Sequence, residues 1–188
     1  AQTDADGKLT YKVWTDISGV AITDLTNNSK YNNAANISGT INSFSATYTG
    51  DNYGTEVTGY IIPKQSGNYT FYIASDDAGQ LWLSTDSSTA NLSRIAYHDS
   101  WTNADEFNKF NTQKSASVYL EAGKAYAVKA LMKEGSGGDN LVVAWEGPGI
   151  NGRQVIGSEY ISTVPVKVQA TVSNLIVNGD FSNGIANW

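Results

Sequence analysis

The sequence predicts an all-β domain, an antiparallel β-sandwich or barrel. Three observations predict it. Apolar and polar residues alternate with period two in several runs; the runs are short, four to eight residues; and clusters of Gly, Asn, Asp and Ser separate them. Successive strand side chains point to opposite faces, so this alternation buries one face of a sheet and leaves the other free. Many short strands in this rhythm make sandwiches and barrels.

The elements follow in chain order. Residues 69–74 (Tyr-Thr-Phe-Tyr-Ile-Ala) put Tyr69, Phe71 and Ile73 on one face, and residues 80–84 (Gln-Leu-Trp-Leu-Ser) alternate likewise. Near 103–109 Asn103 and Glu106 have the spacing of a capping box, which predicts one helical turn. Residues 117–120 lead into the turn signal Glu121-Ala-Gly-Lys124, and residues 125–132 then align Tyr126, Val128, Ala130 and Met132. Residues 141–145 align Leu141, Val143 and Trp145. The expected organisation is a linker stub at 1–7, one domain at 8–162 and an extended connector at 163–173. Residues 174–188 resemble the opening strand of a jelly-roll carbohydrate-binding module through Asn178-Gly-Asp-Phe181 and Trp188; the alternative is a terminal strand of the main domain.

Composition narrows the function. The chain has 188 residues and 40% hydrophobic content, enough for a real core. It has no Cys, which removes disulfides and thiolate metal sites and points to a bacterial rather than an animal extracellular source. The formal net charge of −6 opposes binding to phosphate backbones, so no nucleic-acid partner is expected, while an oxygen-rich acidic surface suits divalent cations. No apolar run approaches membrane-spanning length, so no membrane insertion is expected.

Two stretches carry chemistry. Ser75-Asp76-Asp77-Ala78-Gly79 sets two carboxylates side by side between two patterned runs, which is costly unless something neutralises them. Glu134-Gly-Ser-Gly-Gly-Asp-Asn140 joins two runs; its glycines let carbonyls turn toward one point, and Asp139 adds a carboxylate. Calcium takes six to eight oxygens from such groups. Taken singly, each stretch is as well read as a solvated turn or a flexible hairpin loop.

Together they match a family. Residues 67–84 (Gly-Asn-Tyr-Thr-Phe-Tyr-Ile-Ala-Ser-Asp-Asp-Ala-Gly-Gln-Leu-Trp-Leu-Ser) closely resemble the domain family named after the fourteen-kilodalton fragment of anthrax protective antigen. So do Trp101-Thr-Asn103, Tyr119-Leu-Glu-Ala-Gly123, residues 131–145 and Gly147-Pro-Gly149, in matching order from about 8 to 162. The resemblance implies a β-sandwich with calcium-binding loops at one end. It implies that Asp76, Asp77 and Asp139 are carboxylate ligands of Ca2+, with an often cis Asp76–Asp77 bond. Carbonyls near Gly137, Asn140 or Leu141 are implied as further ligands, and neighbouring sugar hydroxyls complete the shell. One departure is Glu56, where the family more often has Arg.

The expected sugar-contacting residues are Asp76, Asp77, Gln80, Trp101, Gly138 and Asp139, with Gln154 a further hydrogen-bonding candidate. Trp82 and Tyr72 read as packing residues, and His98, the single histidine, as a loop residue. No nucleophile motif is visible, and two carboxylates held by one cation are not free to act as the acid and base of a glycosidase, so no enzyme is expected. The reading is a calcium-dependent lectin module of a large secreted or cell-surface adhesin, within a longer multidomain chain, that binds extracellular glycans. The alternative is a non-catalytic or spacer module attached to a glycoside hydrolase.

Overall fold

The structure is a computed structural model that describes residues 5–166. The expected segment 174–188, most of the connector and residues 1–4 of the stub lie outside the described residues. In chain order the elements are β1 (Leu9–Trp14), α1 (Ile22–Thr26), β2 (Ile37–Ile41), β3 (Ser45–Ala46), β4 (Tyr53–Ile61), β5 (Gly67–Asp76), β6 (Ala78–Leu83), β7 (Ser93–His98), β8 (Val118–Leu120), β9 (Tyr126–Glu134), β10 (Asn140–Glu146), β11 (Gln154–Val155) and β12 (Ile161–Ser162). Two antiparallel sheets face each other. The larger runs β2-β1-β4-β9-β6-β7 with β12 on β4, and the smaller runs β11-β10-β5-β8 with β3 on β10. The all-β sandwich expected from the sequence is what forms.

The alternating residues build the space between the sheets. Tyr69, Phe71 and Ile73 of β5, Leu141, Val143 and Trp145 of β10, and Tyr126, Val128, Ala130 and Met132 of β9 all lie in one buried cluster. Trp145 stacks on Tyr69 with ring centroids 4.8 Å apart, a geometry that adds about 0.5–1.5 kcal/mol beyond area burial.

The outer face of the smaller sheet is also covered. Phe107 packs over Tyr72, Ala74, Val142 and Ala144, which agrees with the packing role expected of Tyr72. This covering segment corrects the expected helical turn at 103–109. Asn103 and Glu106 do bond, Asn103 N–H to Glu106 Oε2 at 3.2 Å and Glu106 N–H to Asn103 O at 3.1 Å, but they close a single non-helical turn. The physical reason is the edge of β5. The strand β8 pairs only with Gly67–Tyr69, so the groups beyond need other partners. They take them from this segment: Thr102 N–H reaches Ser75 O at 2.8 Å, Gln113 Nε2 reaches Ile73 O at 2.9 Å, and Phe71 N–H reaches Ser115 Oγ at 2.9 Å.

Candidate functional site

Topology brings the two predicted stretches together. The residues Asp76 and Asp77 link β5 in the smaller sheet to β6 in the larger, while residues 135–139 link β9 in the larger to β10 in the smaller. Because β6 pairs with β9 (Ala78 opposite Lys133) and β10 with β5 (Asn140 opposite Asp76), both crossings fall at the same end of the sandwich. The Asp76–Asp77 peptide bond is cis.

The side chains then interlock. Asp77 Oδ2 accepts Gly135 N–H at 3.0 Å, and Asp77 N–H donates to Lys133 O at 3.1 Å. Gly138 passes so close to Asp76 that a Cβ there would stand 2.4 Å from Asp76 Oδ2. Gly137 has φ +121°, in the region that favours glycine. Asp139 Oδ1 accepts Tyr53 O–H at 2.7 Å. Asn140 donates Nδ2–H to Thr102 O at 3.0 Å, which leaves its Oδ1 buried and without a protein partner.

Sequence reasoning placed Glu134 at the head of the loop and gave it no role. In the structure Asp76, Asp77 and Glu134 each bring a carboxylate oxygen within 4.8 Å of the others. Glu134 is fully buried, and neither carboxylate oxygen has a hydrogen-bond partner. The signal was in the alternation. Tyr126, Val128, Ala130 and Met132 point inward, so the next position of that phase, 134, points inward too.

The electrostatics are those of crowded like charges. Burial, then Asp77 and Asp139, raise the Asp76 carboxyl above its usual range, against a smaller opposing pull from Lys109. Burial, then Asp77, Asp76 and Asp139, push Glu134 up to about 8. Lys133 is fully buried beside them but faces away. Its Nζ donates to Gly19 O at 2.5 Å and to Glu134 O at 2.6 Å, and burial lowers its pKa.

Trp101 stands at the same end, 48% exposed, just before Thr102 and its bonds to Ser75. Lys109 Nζ lies 3.2 Å from the Trp101 ring centroid and donates to Trp101 O at 2.8 Å, so one face of the indole carries a cation. The structure engages Gln80 elsewhere: its Oε1 accepts Trp82 Nε1–H at 3.2 Å along β6. Gln154, on β11, donates to Asn151 O at 3.1 Å. His98 is not a loop residue. It ends β7, is 1% exposed, and lies behind the Asp pair. Its Nδ1 faces Ser100 O at 2.7 Å, which assigns the proton there; Nε2 meets Ser75 Oγ at 3.2 Å, and that hydroxyl also reaches Asp77 O at 3.2 Å. The burial followed from packing against Phe110, which no local sequence pattern signals.

An end-on cluster of loop carboxylates on a two-sheet sandwich defines the class, and comparison supplies the family. The PA14 domain model matches residues 8–159, and the chain belongs to that family. The N-acetyl-beta-glucosaminyl-glycoprotein 4-beta-N-acetylgalactosaminyltransferase 1 of Mus musculus is 31% identical over 163 residues, which cover 83% of this chain and 16% of that protein. The chain therefore spans only about a sixth of this relative's length. The PA14 sugar-binding domain from an RTX adhesin superposes with a TM-score of 0.62 at 14% identity, covering 84% of this chain and 98% of that one. The Epithelial Adhesin 6 A domain from Candida glabrata, solved with Galb1-3GlcNAc, superposes with a TM-score of 0.60 at 13% identity, covering 89% and 94%. At these identities the two structures show the shared fold.

Proposed function

We propose that this chain is a non-catalytic, calcium-dependent carbohydrate-binding module, a lectin domain of an extracellular cell-surface adhesin. The observation that carries the reading is the meeting of Asp76, Asp77, the half-buried Asp139 and the exposed loop residues 136–138 with the exposed Trp101 at one end of the sandwich. The donor set fits a hard cation: carboxylates crowd together without a neutralising partner, and the buried Asn140 Oδ1 beside Asp76 has none either. The RTX adhesin domain is a sugar-binding domain and the Epithelial Adhesin 6 domain was solved with Galb1-3GlcNAc, and both support the ligand class.

In this reading Asp76, Asp77 and Asp139 hold Ca2+ with Asn140 Oδ1 and carbonyls near Gly137. When bound, calcium supplies coordination positions that two neighbouring sugar hydroxyls fill. Gly138 leaves the approach to Asp76 open, and Trp101 offers an apolar surface at the rim. Carboxylates neutralised this way are not free to transfer protons, which is why the module binds rather than cleaves. So exposed a site holds one monosaccharide at about millimolar Kd, near −4 kcal/mol, and useful adhesion comes from repetition through effective concentration.

Calorimetry on metal-free protein tests the reading. Calcium should give a saturable isotherm that Asp76→Ala loses. In calcium, sugars with adjacent hydroxyls should compete for bound glycan, and deoxy or O-methyl analogues lacking one of the pair should not. An unchanged isotherm in Asp76→Ala, or equal competition by the analogues, contradicts the coordination scheme.

A further inference from the structure

The Glu134 carboxylate has no account in the reading above. It ends the inward-facing row of β9, is fully buried, and neither oxygen meets a donor. A buried ionised carboxylate without a partner costs several kcal/mol, and even the neutral acid loses its hydrogen bonds with water. Every acidic group acting on it, Asp76, Asp77 and Asp139, makes matters worse. The adjacent cation helps only a little: Lys133 is the last and smallest influence, opposing the rise, because its side chain lies one residue away on a strand and its ammonium is held by Gly19 O and Glu134 O rather than by the carboxylate. Among the described residues no hydrogen-bonding or ion-pairing partner meets it, which leaves room for a bound cation.

The spacing fits one. Two oxygens on a single Ca2+ at 2.3–2.6 Å lie at most about 5 Å apart. Asp76, Asp77 and Glu134 present oxygens within 4.8 Å of one another, so one ion can touch all three. Asp139 is not in that trio, and one of its oxygens is taken by the Tyr53 hydroxyl.

We infer that Glu134 is a direct ligand of the calcium ion, entering from the core side of the site. This rests on the calcium reading above and deepens it. The ion then sits between the loops and the sandwich interior: Asp76 and Asp77 hold it from the β5–β6 crossing, Glu134 anchors it to the end of β9, and the outward side is left for ligand. The cation becomes part of the fold at this end, because it relieves the repulsion between the buried Glu134 and the half-buried Asp76 and Asp77.

The near-isosteric substitution Glu134→Gln separates this from a packing role. Its calcium Kd should rise at least tenfold. Its metal-free Tm should exceed that of the metal-free wild type, because the wild type must either take up a proton or bury a charge at this position on folding and the amide need do neither. Its calcium-saturated Tm should fall below that of the calcium-saturated wild type. That reversal of sign is the signature, since a packing residue moves both Tm values the same way. Terbium luminescence lifetimes in H2O and D2O should count about one more metal-bound water in the variant. Equal calcium affinity and equal water counts in variant and wild type would overturn the inference. Should the variant not fold, a crystal structure of calcium-loaded wild type decides: a Glu134 Oε at 2.3–2.6 Å from the ion supports it, and one beyond about 3.5 Å overturns it. A wild type that binds no calcium refutes the metal reading itself, whereas binding that ignores Glu134→Gln refutes this inference alone.

Discussion

At the scale of single residues, the site is backed by a histidine that reads as unremarkable in sequence. Burial, the largest cause, lowers the His98 pKa, opposed by its bond to Ser100 O and by Asp99. The unfolded chain titrates near 6.5, so below that pH it binds a proton the native state resists. Stability from neutral His98 is therefore present above about pH 6.5 and is lost as pH falls toward the lowered native value, with a slope of at most about 1.4 kcal/mol per pH unit. Urea unfolding of wild type and His98→Gln at about pH 7.5 and pH 5.5 checks this. The wild type should lose more stability on acidification than the variant, because both share the titrating carboxylates and differ at the imidazole. Equal losses would show that His98 contributes no such term. The same residue marks a limit of sequence reading. Asp76, Asp77 and the 134–140 loop were legible because two adjacent carboxylates and a Gly-rich turn have a local chemical signature. The unpartnered Glu134 and buried His98 owe their importance to residues distant in the chain, such as Asp77 and Ser75.

At the scale of elements, the alternating strands were legible and the covering segment was not. β5, β9 and β10 fall where period-two patterning placed them, because burial of one face between two sheets imposes that pattern. The helical turn expected near 103–109 does not form, and a short 3-10 turn stands at Asn111–Gln113 instead, because the order of this segment comes from the exposed edge of β5. Gln113 is the pin: it is fully buried, its Nε2 bonds Ile73 O and Glu106 O (2.7 Å), and its Oε1 accepts Phe110 N–H at 2.9 Å. Truncation by Gln113→Ala removes these three bonds and leaves the Ile73 carbonyl unpaired, which should cost about 4 kcal/mol, roughly 1 kcal/mol for each bond plus about 1 for the unsatisfied group. Hydrogen exchange should quicken across 101–113 and at β5, with the opposite β1–β2 edge little changed. Uniform acceleration throughout would mean that the segment is not an independent cover.

At the scale of the whole molecule, the sandwich works as a scaffold whose crossings define one functional end. Each sheet contributes one strand to each crossing, so loops 58 residues apart in sequence, as Asp77 and Gly135 are, meet through a hydrogen bond. The two sheets hold the carboxylates crowded there, and the proposed cation would offset that cost. On the proposed reading, a chain with net charge −6 would gain through bound calcium a local site suited to neutral polyols. On the same reading single-site binding should be weak, and multivalent presentation should strengthen it through effective concentration. The central claim is that glycan binding runs through calcium at the Asp76–Asp77 end. The most direct measurement is a glycan array probed with multivalent protein in calcium, in chelator, and in calcium restored after chelation. Binding that disappears in chelator and returns with calcium is the result predicted; binding that persists unchanged in chelator would contradict the account.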